Sequence, residues 1–301
     1  DEIREKGGLF NDLEFPPNEK SILGFKNTPS YEGRIENLSW RRSNEYFSEN
    51  AVVSDSMSPS DIYQGQLGDC YFLAAISALA EHPKRIQRLF LTKKNHGNGL
   101  FAVAMCINGV WEEVLVDDYA PCDDSKKLAF NSSKSNELWV VLLEKAWAKV
   151  HGGYFNIEAG LTREALRDLT GASVTTFFTK RRPENLWKRI QEAEQRHFVM
   201  TAGSDNLSYG SDVHIEKIGL SGSHAYSLLS VYILDEVKDY EGEKVYKLRV
   251  SEDEVEGNVH RLVKLRNPWG RGEWTGDWSD ADSRWNDQLK EVLGINKTGD
   301  D

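Results

Sequence analysis

The run Cys70-Tyr71-Phe72-Leu73-Ala74-Ala75-Ile76-Ser77-Ala78-Leu79-Ala80 constrains this chain more than any other feature. At helical spacing it is apolar on nearly every face. It therefore predicts a helix enclosed by the rest of the protein rather than laid on its surface. Gly68-Asp69 leads into it, and Pro83 is expected to end it. No window is long and apolar enough to predict a membrane span. The chain has 301 residues, 39% hydrophobic and 28% charged, which suffices for two domains of ordinary size.

Patterning along the chain divides it. Residues 1–50 are turn-rich and irregular. Residues 100–105 and 110–116 read as strands. Asn136 stands where it would cap a long helix over 137–150, stopped by Gly152-Gly153, and a shorter helix is expected over 163–169. Residues 175–179 read as a strand, and Pro183 as the opening of a helix to about Gln195. Beyond it strands dominate, over 197–201, 224–234, 245–250 and 261–265. A helix-rich part, 1–180, thus precedes a β-rich part, 181–301, which is an α+β pattern.

The formal net charge of −11 argues against nucleic-acid binding, which needs a basic face. It suits cation binding without specifying any. The three cysteines, Cys70, Cys106 and Cys122, form no CxxC pair, so zinc spacing is absent. So sparse and odd a set fits a reducing compartment, and a cytoplasmic location is expected. The opening Asp1-Glu2-Ile3-Arg4-Glu5-Lys6 is no signal peptide, and without an initiator Met the chain is expected to come from a longer parent with further domains.

Cys70 stands where a loop enters the buried helix. A helix N-terminus favours thiolate over thiol, although most free cysteines are simply buried. The flank Gln64-Gly65-Gln66-Leu67-Gly68-Asp69 distinguishes it. It offers two glycines for close backbone approach and an amide, Gln64, able to donate to an oxyanion together with the Cys70 N–H. Of the seven histidines, His224 begins the longest β-like run, after Ser221-Gly222-Ser223. Asn267, in Leu265-Arg266-Asn267-Pro268-Trp269-Gly270, can accept from one imidazole nitrogen while the other faces a thiol. Each motif alone would be read as structural: a strand-edge histidine, and a turn asparagine beside a core tryptophan. The order Cys, His, Asn is that of papain-like proteases.

Taken together the motifs resemble the protease core of the calpain family. They are Gln64-Gly65-x-Leu67-Gly68-Asp69-Cys70, Ser223-His224-Ala225-Tyr226-Ser227 and Arg266-Asn267-Pro268-Trp269-Gly270. Leu9-Phe10-x-Asp12-x-x-Phe15-Pro16-Pro17, Asn136-Glu137-x-Trp139 with Leu142-Leu143-Glu144-Lys145-Ala146, and Glu273-Trp274-Thr275-Gly276-x-Trp278-Ser279-Asp280 agree in order. The resemblance implies a papain-like core of two lobes, helical then β-rich, with a peptide cleft between them. It implies calcium-dependent cleavage of protein substrates at limited sites, through a Cys70–His224–Asn267 triad and a thioester acyl-enzyme, with Gln64 at the oxyanion. Trp269, Gly160 and Ser223 would line the cleft. Each lobe would bind Ca²⁺: Asp61 and Glu137 in the first, with carbonyls near Ser54 and Ser56, and Glu273, Asp280 and Asp301 in the second.

Three departures from the family pattern stand out. Pro59 replaces an arginine that ties the lobes together, Ser223 replaces a glycine before the histidine, and the chain stops at Asp301, short of an expected edge strand and calcium ligand. Two other readings compete. A transglutaminase-like acyl transferase would use Asp where Asn267 stands. A catalytically silent calcium-binding scaffold would be expected to have lost triad residues, whereas all three are kept.

Overall fold

Cys70–Ala80 forms one helix, and every side chain from Tyr71 to Ala80 is buried. The computed structural model describes residues 8–26, 28–47, 51–181, 185–204 and 218–293. The chain divides into two compact units, Asp1–Thr176 with Pro268–Gly270, and Phe177–Asn267 with Arg271–Asp301. The sequence placed the division at 180/181 and did not anticipate that Pro268–Gly270 groups with the first unit.

In the first unit the Cys70 helix is enclosed by the helices Pro83–Gln87, Trp139–Val150 and Thr162–Thr170. Phe72 stacks on Trp147 with centroids 5.1 Å apart, and Trp147 Nε1 donates to the Tyr71 hydroxyl at 3.1 Å. Strands Leu100–Ile107 and Val110–Asp117 form an antiparallel hairpin in register from Leu100↔Asp117 to Ile107↔Val110. Its two-residue turn, Asn108-Gly109, has both φ angles positive, the geometry that suits a twisted hairpin.

The hairpin ends in Asp117-Asp118, and both carboxylates are anchors. Asp117 accepts from Lys145 Nζ, from Asp12 N at 2.8 Å and from Tyr119 N at 3.1 Å. Both Lys145 and Asp117 side chains are fully enclosed. Asp118 takes Arg42 Nη1 at 2.5 Å and the Ser43 hydroxyl at 2.7 Å. Asp12 caps its own turn through Glu14 N and Phe15 N, both 3.1 Å, and receives Lys149 Nζ. The opening segment is thereby held by ion pairs and hydrogen bonds, and, contrary to the irregular stretch expected, it carries the short helices Glu19–Leu23, Pro29–Glu32 and Ser43–Tyr46 and the strand Ser39–Arg41, which pairs with Ala120–Cys122.

In the second unit, Ala225–Lys238 is the central strand of an antiparallel sheet with Met200–Gly203, Lys244–Arg249 and Asn258–Arg266. Asp235, fully enclosed, ties the far end together. Burial alone would raise its carboxyl, but Arg249 and the amides of Glu256 and Gly257 bring it below its ordinary value. Leu234, Leu289 and Leu293 form an apolar cluster with Tyr246, Trp278 and Trp285 around them.

Several expected elements differ. Asn136 caps nothing: it takes a left-handed φ of 58°, and the helix starts at Trp139. Glu137 is held outside the helix, accepting from Ser135 Oγ and Trp139 Nε1, while Leu138 N donates to Ala51 O. Pro83 opens the next short helix at its first turn, where a missing N–H costs nothing. Residues 175–178 form no strand and are exposed, and Thr179–Arg181 is a 3₁₀ turn. His197 turns left-handed, with φ 53°, so the strand begins at Met200. The next helix is Leu186–Gln195; Pro183, expected to open it, lies outside the described residues. Among the described residues no helix is long and apolar enough to cross a membrane.

Replacing Lys145 with Met leaves the enclosed Asp117 carboxyl without its cation. Loss of one partner of a buried pair costs about 3–5 kcal/mol. Urea unfolding of Lys145→Met should show a loss of that order, and a loss under about 1 kcal/mol would mean the pair contributes only as a surface bridge does.

Candidate active site

Cys70 is the first residue of its helix and is partly exposed, unlike Cys106 and Cys122, which are buried. Burial pushes the Cys122 thiol up to about 11, far from reactivity at neutral pH. The loop before Cys70 is pinned by backbone. Gln66 N donates to Ala129 O at 2.9 Å, and a Cβ on Gly65 would lie 1.9 Å from Phe130 O. Only glycine fits there. A Cβ on Gly68, expected to serve the same purpose, would meet nothing nearer than Glu158 Oε1 at 3.9 Å, so of the two glycines only Gly65 is required by close contact.

Gln64 Nε2 donates to Leu67 O at 2.6 Å, which uses one of its two protons. Its backbone N donates to Pro268 O at 3.1 Å within the same unit. Gly160 lies against the Tyr71 ring, where a Cβ would come within 2.5 Å of it. Trp269 belongs to this unit and is 37% exposed. Pro59 opens the 3₁₀ turn Pro59–Asp61.

His224 and Asn267 meet within the second unit. Strands Ala225–Lys238 and Asn258–Arg266 pair, with Arg266 opposite Ser227, so the residues flanking the two strand ends come together. His224 Nε2 lies 2.8 Å from Asn267 Oδ1. Asn267 Nδ2 donates to Arg271 O at 2.9 Å, which fixes the amide orientation and makes Oδ1 the acceptor. His224 Nε2 then carries the proton, and Nδ1 is the ring's acceptor nitrogen. The Tyr226 ring meets the imidazole edge-on at 4.9 Å. Ser204, which the sequence did not single out, accepts from His224 N at 3.1 Å and donates to Ser221 O at 2.5 Å. Ser223 adopts φ 49°, the left-handed region that favours glycine, which is the residue the family resemblance expects there. Burial lowers the His224 pKa, and the Asn267 bond opposes that shift.

The expected calcium ligands are only partly drawn together. Strand pairing of Ile62 with Ser133 and Tyr63 with Ser132 sets Asp61 beside the segment leading to Glu137, and Lys134 N donates to Asp61 O at 2.8 Å. Asp61 and Glu137 are both buried. Ser54 O accepts from Gln87 Nε2 at 2.9 Å, and the Ser54 and Ser56 hydroxyls are 2.8 Å apart. Burial raises the Glu273 carboxyl, and neighbouring Asp280 raises it further. Asp301 lies outside the described residues. Among the described residues no three His, Cys, Asp or Glu side chains converge.

A family model described as calpain family cysteine protease matches residues 10–301. The chain belongs to the calpain family. It is 37% identical over 300 residues to calpain-type cysteine protease DEK1 of Arabidopsis thaliana, covering 94% of this chain and 13% of that protein. It is 33% identical over 295 residues to the calpain-2 catalytic subunit of Bos taurus, covering 97% of this chain and 39% of that subunit. The human calpain-2 catalytic subunit is 34% identical over 288 residues. This calpain-family chain thus spans well under half the length of these relatives.

The Asn267 bond favours the charged imidazole. Asn267→Ala should therefore move the His224 titration to lower pH, read by NMR of the ring. An unchanged or higher midpoint would show that the bond does not act on the ring.

Proposed function

We propose that this chain is the catalytic core of a calcium-dependent cysteine endopeptidase with a papain-like, two-lobed arrangement. The observation that carries the reading is the 2.8 Å contact of His224 Nε2 with Asn267 Oδ1, joined to a partly exposed cysteine at a helix start and to family membership. Cys70 is the nucleophile, His224 its general base and Asn267 the residue that holds the ring. The chemistry requires the Cys70 thiol and the His224 Nδ1 to come within hydrogen-bonding reach.

His224 takes the thiol proton as sulfur attacks the scissile carbonyl carbon. The Cys70 N–H and the second Gln64 amide proton stabilise the oxyanion. Collapse of the tetrahedral species expels the amine, which takes the proton from His224, and leaves a thioester on Cys70. Water, deprotonated by His224, then attacks the thioester, and the acid product departs with the thiol restored. Trp269, Gly160 and Ser223 are assigned to the peptide cleft.

The donor chemistry fits calcium: Asp61 and Glu137 offer buried hard oxygens on adjoining segments, and Asp280 lies near enough to Glu273 for its charge to raise that carboxyl. When bound, the ion would supply positive charge that neutralises these carboxylates. The carboxylates and their loops would then take the closed arrangement, and this coupling would make activity calcium-dependent. Protein substrates, a cytoplasmic setting and further domains of a longer parent complete the reading.

Casein hydrolysis by the purified chain, with calcium and with chelator, tests it directly. Activity should require calcium, vanish in Cys70→Ala, and fall about a hundredfold in Gln64→Ala. Full activity in Cys70→Ala would remove the nucleophile assignment. Glu137→Ala and Glu273→Ala should each move the calcium titration to higher concentration; unshifted titrations in both would remove the metal assignment and leave the protease standing.

A further inference from the structure

Four enclosed polar atoms around the start of the Cys70 helix have no hydrogen-bond partner among the described residues: Asp69 Oδ1, Glu144 Oε1, Asn131 Oδ1 and the Tyr154 hydroxyl. Asp69 immediately precedes Cys70, and its side chain does not cap the helix. Instead it turns inward, fully buried, towards Glu144, which is 2% exposed on the Trp139–Val150 helix. Asn131 holds both acids: its Nδ2 donates to Asp69 Oδ2 at 3.1 Å and its backbone N to Glu144 Oε2 at 3.4 Å. Asn131 thereby bridges the two carboxyls, and each acts electrostatically on the other.

Among the described residues no cation pairs with either acid. Glu158 approaches Asp69 from the loop after Tyr154, but it is already engaged by Arg34 at 2.7 Å. Tyr154 lies within electrostatic reach of Glu144, with Tyr46 and Asp117 behind it. Lys145, next to Glu144 in sequence, turns to Asp117 and Tyr119 O. Two ionised carboxylates here would be like charges in an enclosed site, and each would keep an unsatisfied oxygen.

We infer that Asp69 and Glu144 share one proton, with Glu144 as the neutral acid donating from Oε1 to Asp69 Oδ1, and that this bond positions the turn carrying Cys70. One proton satisfies both orphaned oxygens. It also leaves a single charge beside the thiol, where a second would oppose the thiolate. The positioning part rests on the reading of Cys70 as nucleophile; the shared proton does not. Burial raises both acids, and the charge of Asp69 raises Glu144 further, so geometry and electrostatics agree on which acid is neutral.

A raised carboxyl pKa means the folded chain holds a proton that the unfolded chain has released. Stability conferred at low pH is then lost as pH rises from the ordinary carboxyl range through the folded-state value. Infrared spectroscopy of the folded chain in D₂O at neutral pH should show a protonated-acid carbonyl band, absent in Glu144→Gln. The Gln side chain can still donate to Asp69. The pH slope of unfolding stability should fall by about one proton in Glu144→Gln. Glu144→Leu should slow Cys70 alkylation by iodoacetamide and shift its pH profile, and Glu144→Gln should restore the rate.

Absence of the band in wild type, with identical slopes in wild type and Glu144→Gln, would mean two carboxylates, bridged by water or otherwise, and would overturn the shared proton. This outcome needs no variant beyond the isosteric one. A band that behaves as expected, with equal alkylation profiles in wild type and Glu144→Leu, would overturn the positioning role. If Glu144→Leu does not fold, the profile of Asp69→Asn serves in its place. Loss of casein hydrolysis with the band intact would count against the nucleophile reading alone.

Discussion

The enclosed ion pair between Lys145 and Asp117 joins three parts of the first unit that sequence separation would otherwise leave independent. Lys145 belongs to the helix beside Cys70, and Asp117 ends the hairpin. Asp117 also receives the amide of Asp12 from the opening segment. A buried ion pair is weak evidence of stability in itself, because desolvation offsets much of the attraction. Its consequence here is geometric: an unpaired Asp117 or Lys145 cannot remain inside, so only one packing of helix, hairpin and opening segment satisfies both. Asp118, taking Arg42 and Ser43, repeats the device one residue later.

The helix that this packing encloses has no polar face, which is why its first residue is informative. Burial of Tyr71 to Ala80 fixes the helix axis, and the close contact of Gly65 with the Ala129–Phe130 backbone fixes the loop before it. Cys70 is held between two rigid constraints while remaining partly exposed. In the second unit, strand register does the corresponding work. Pairing of Arg266 with Ser227 sets the ends of two strands together, so that His224 and Asn267 meet across them. Preorganisation of this kind keeps catalytic geometry from depending on mobile side chains.

The expectations that failed share a cause. Asn136 has the composition of a helix cap, and residues 175–178 have that of a strand, but both signals are local. Glu137 is drawn into bonds with Ser135 and Trp139, which displaces the helix start to Trp139. The 175–178 run is exposed and pairs with no described strand, and β-propensity without a partner gives no strand. Gly68 reads as a second close-approach glycine, but a side chain there would find room.

The sequence by itself determined the family, the buried helix, the hairpin and the identity of the residues now proposed as a triad, because these rest on residue type, spacing and periodicity. Tertiary structure alone decided which side chains meet. Nothing in the chain order announces that Asn131 holds both Asp69 and Glu144, that Ser204 braces the backbone of His224, or that Lys145 turns to Asp117 while its neighbour Glu144 turns to Asp69. The physical reason is that enclosed polar groups must find partners wherever the packed backbone puts them, and those partners lie well apart in sequence.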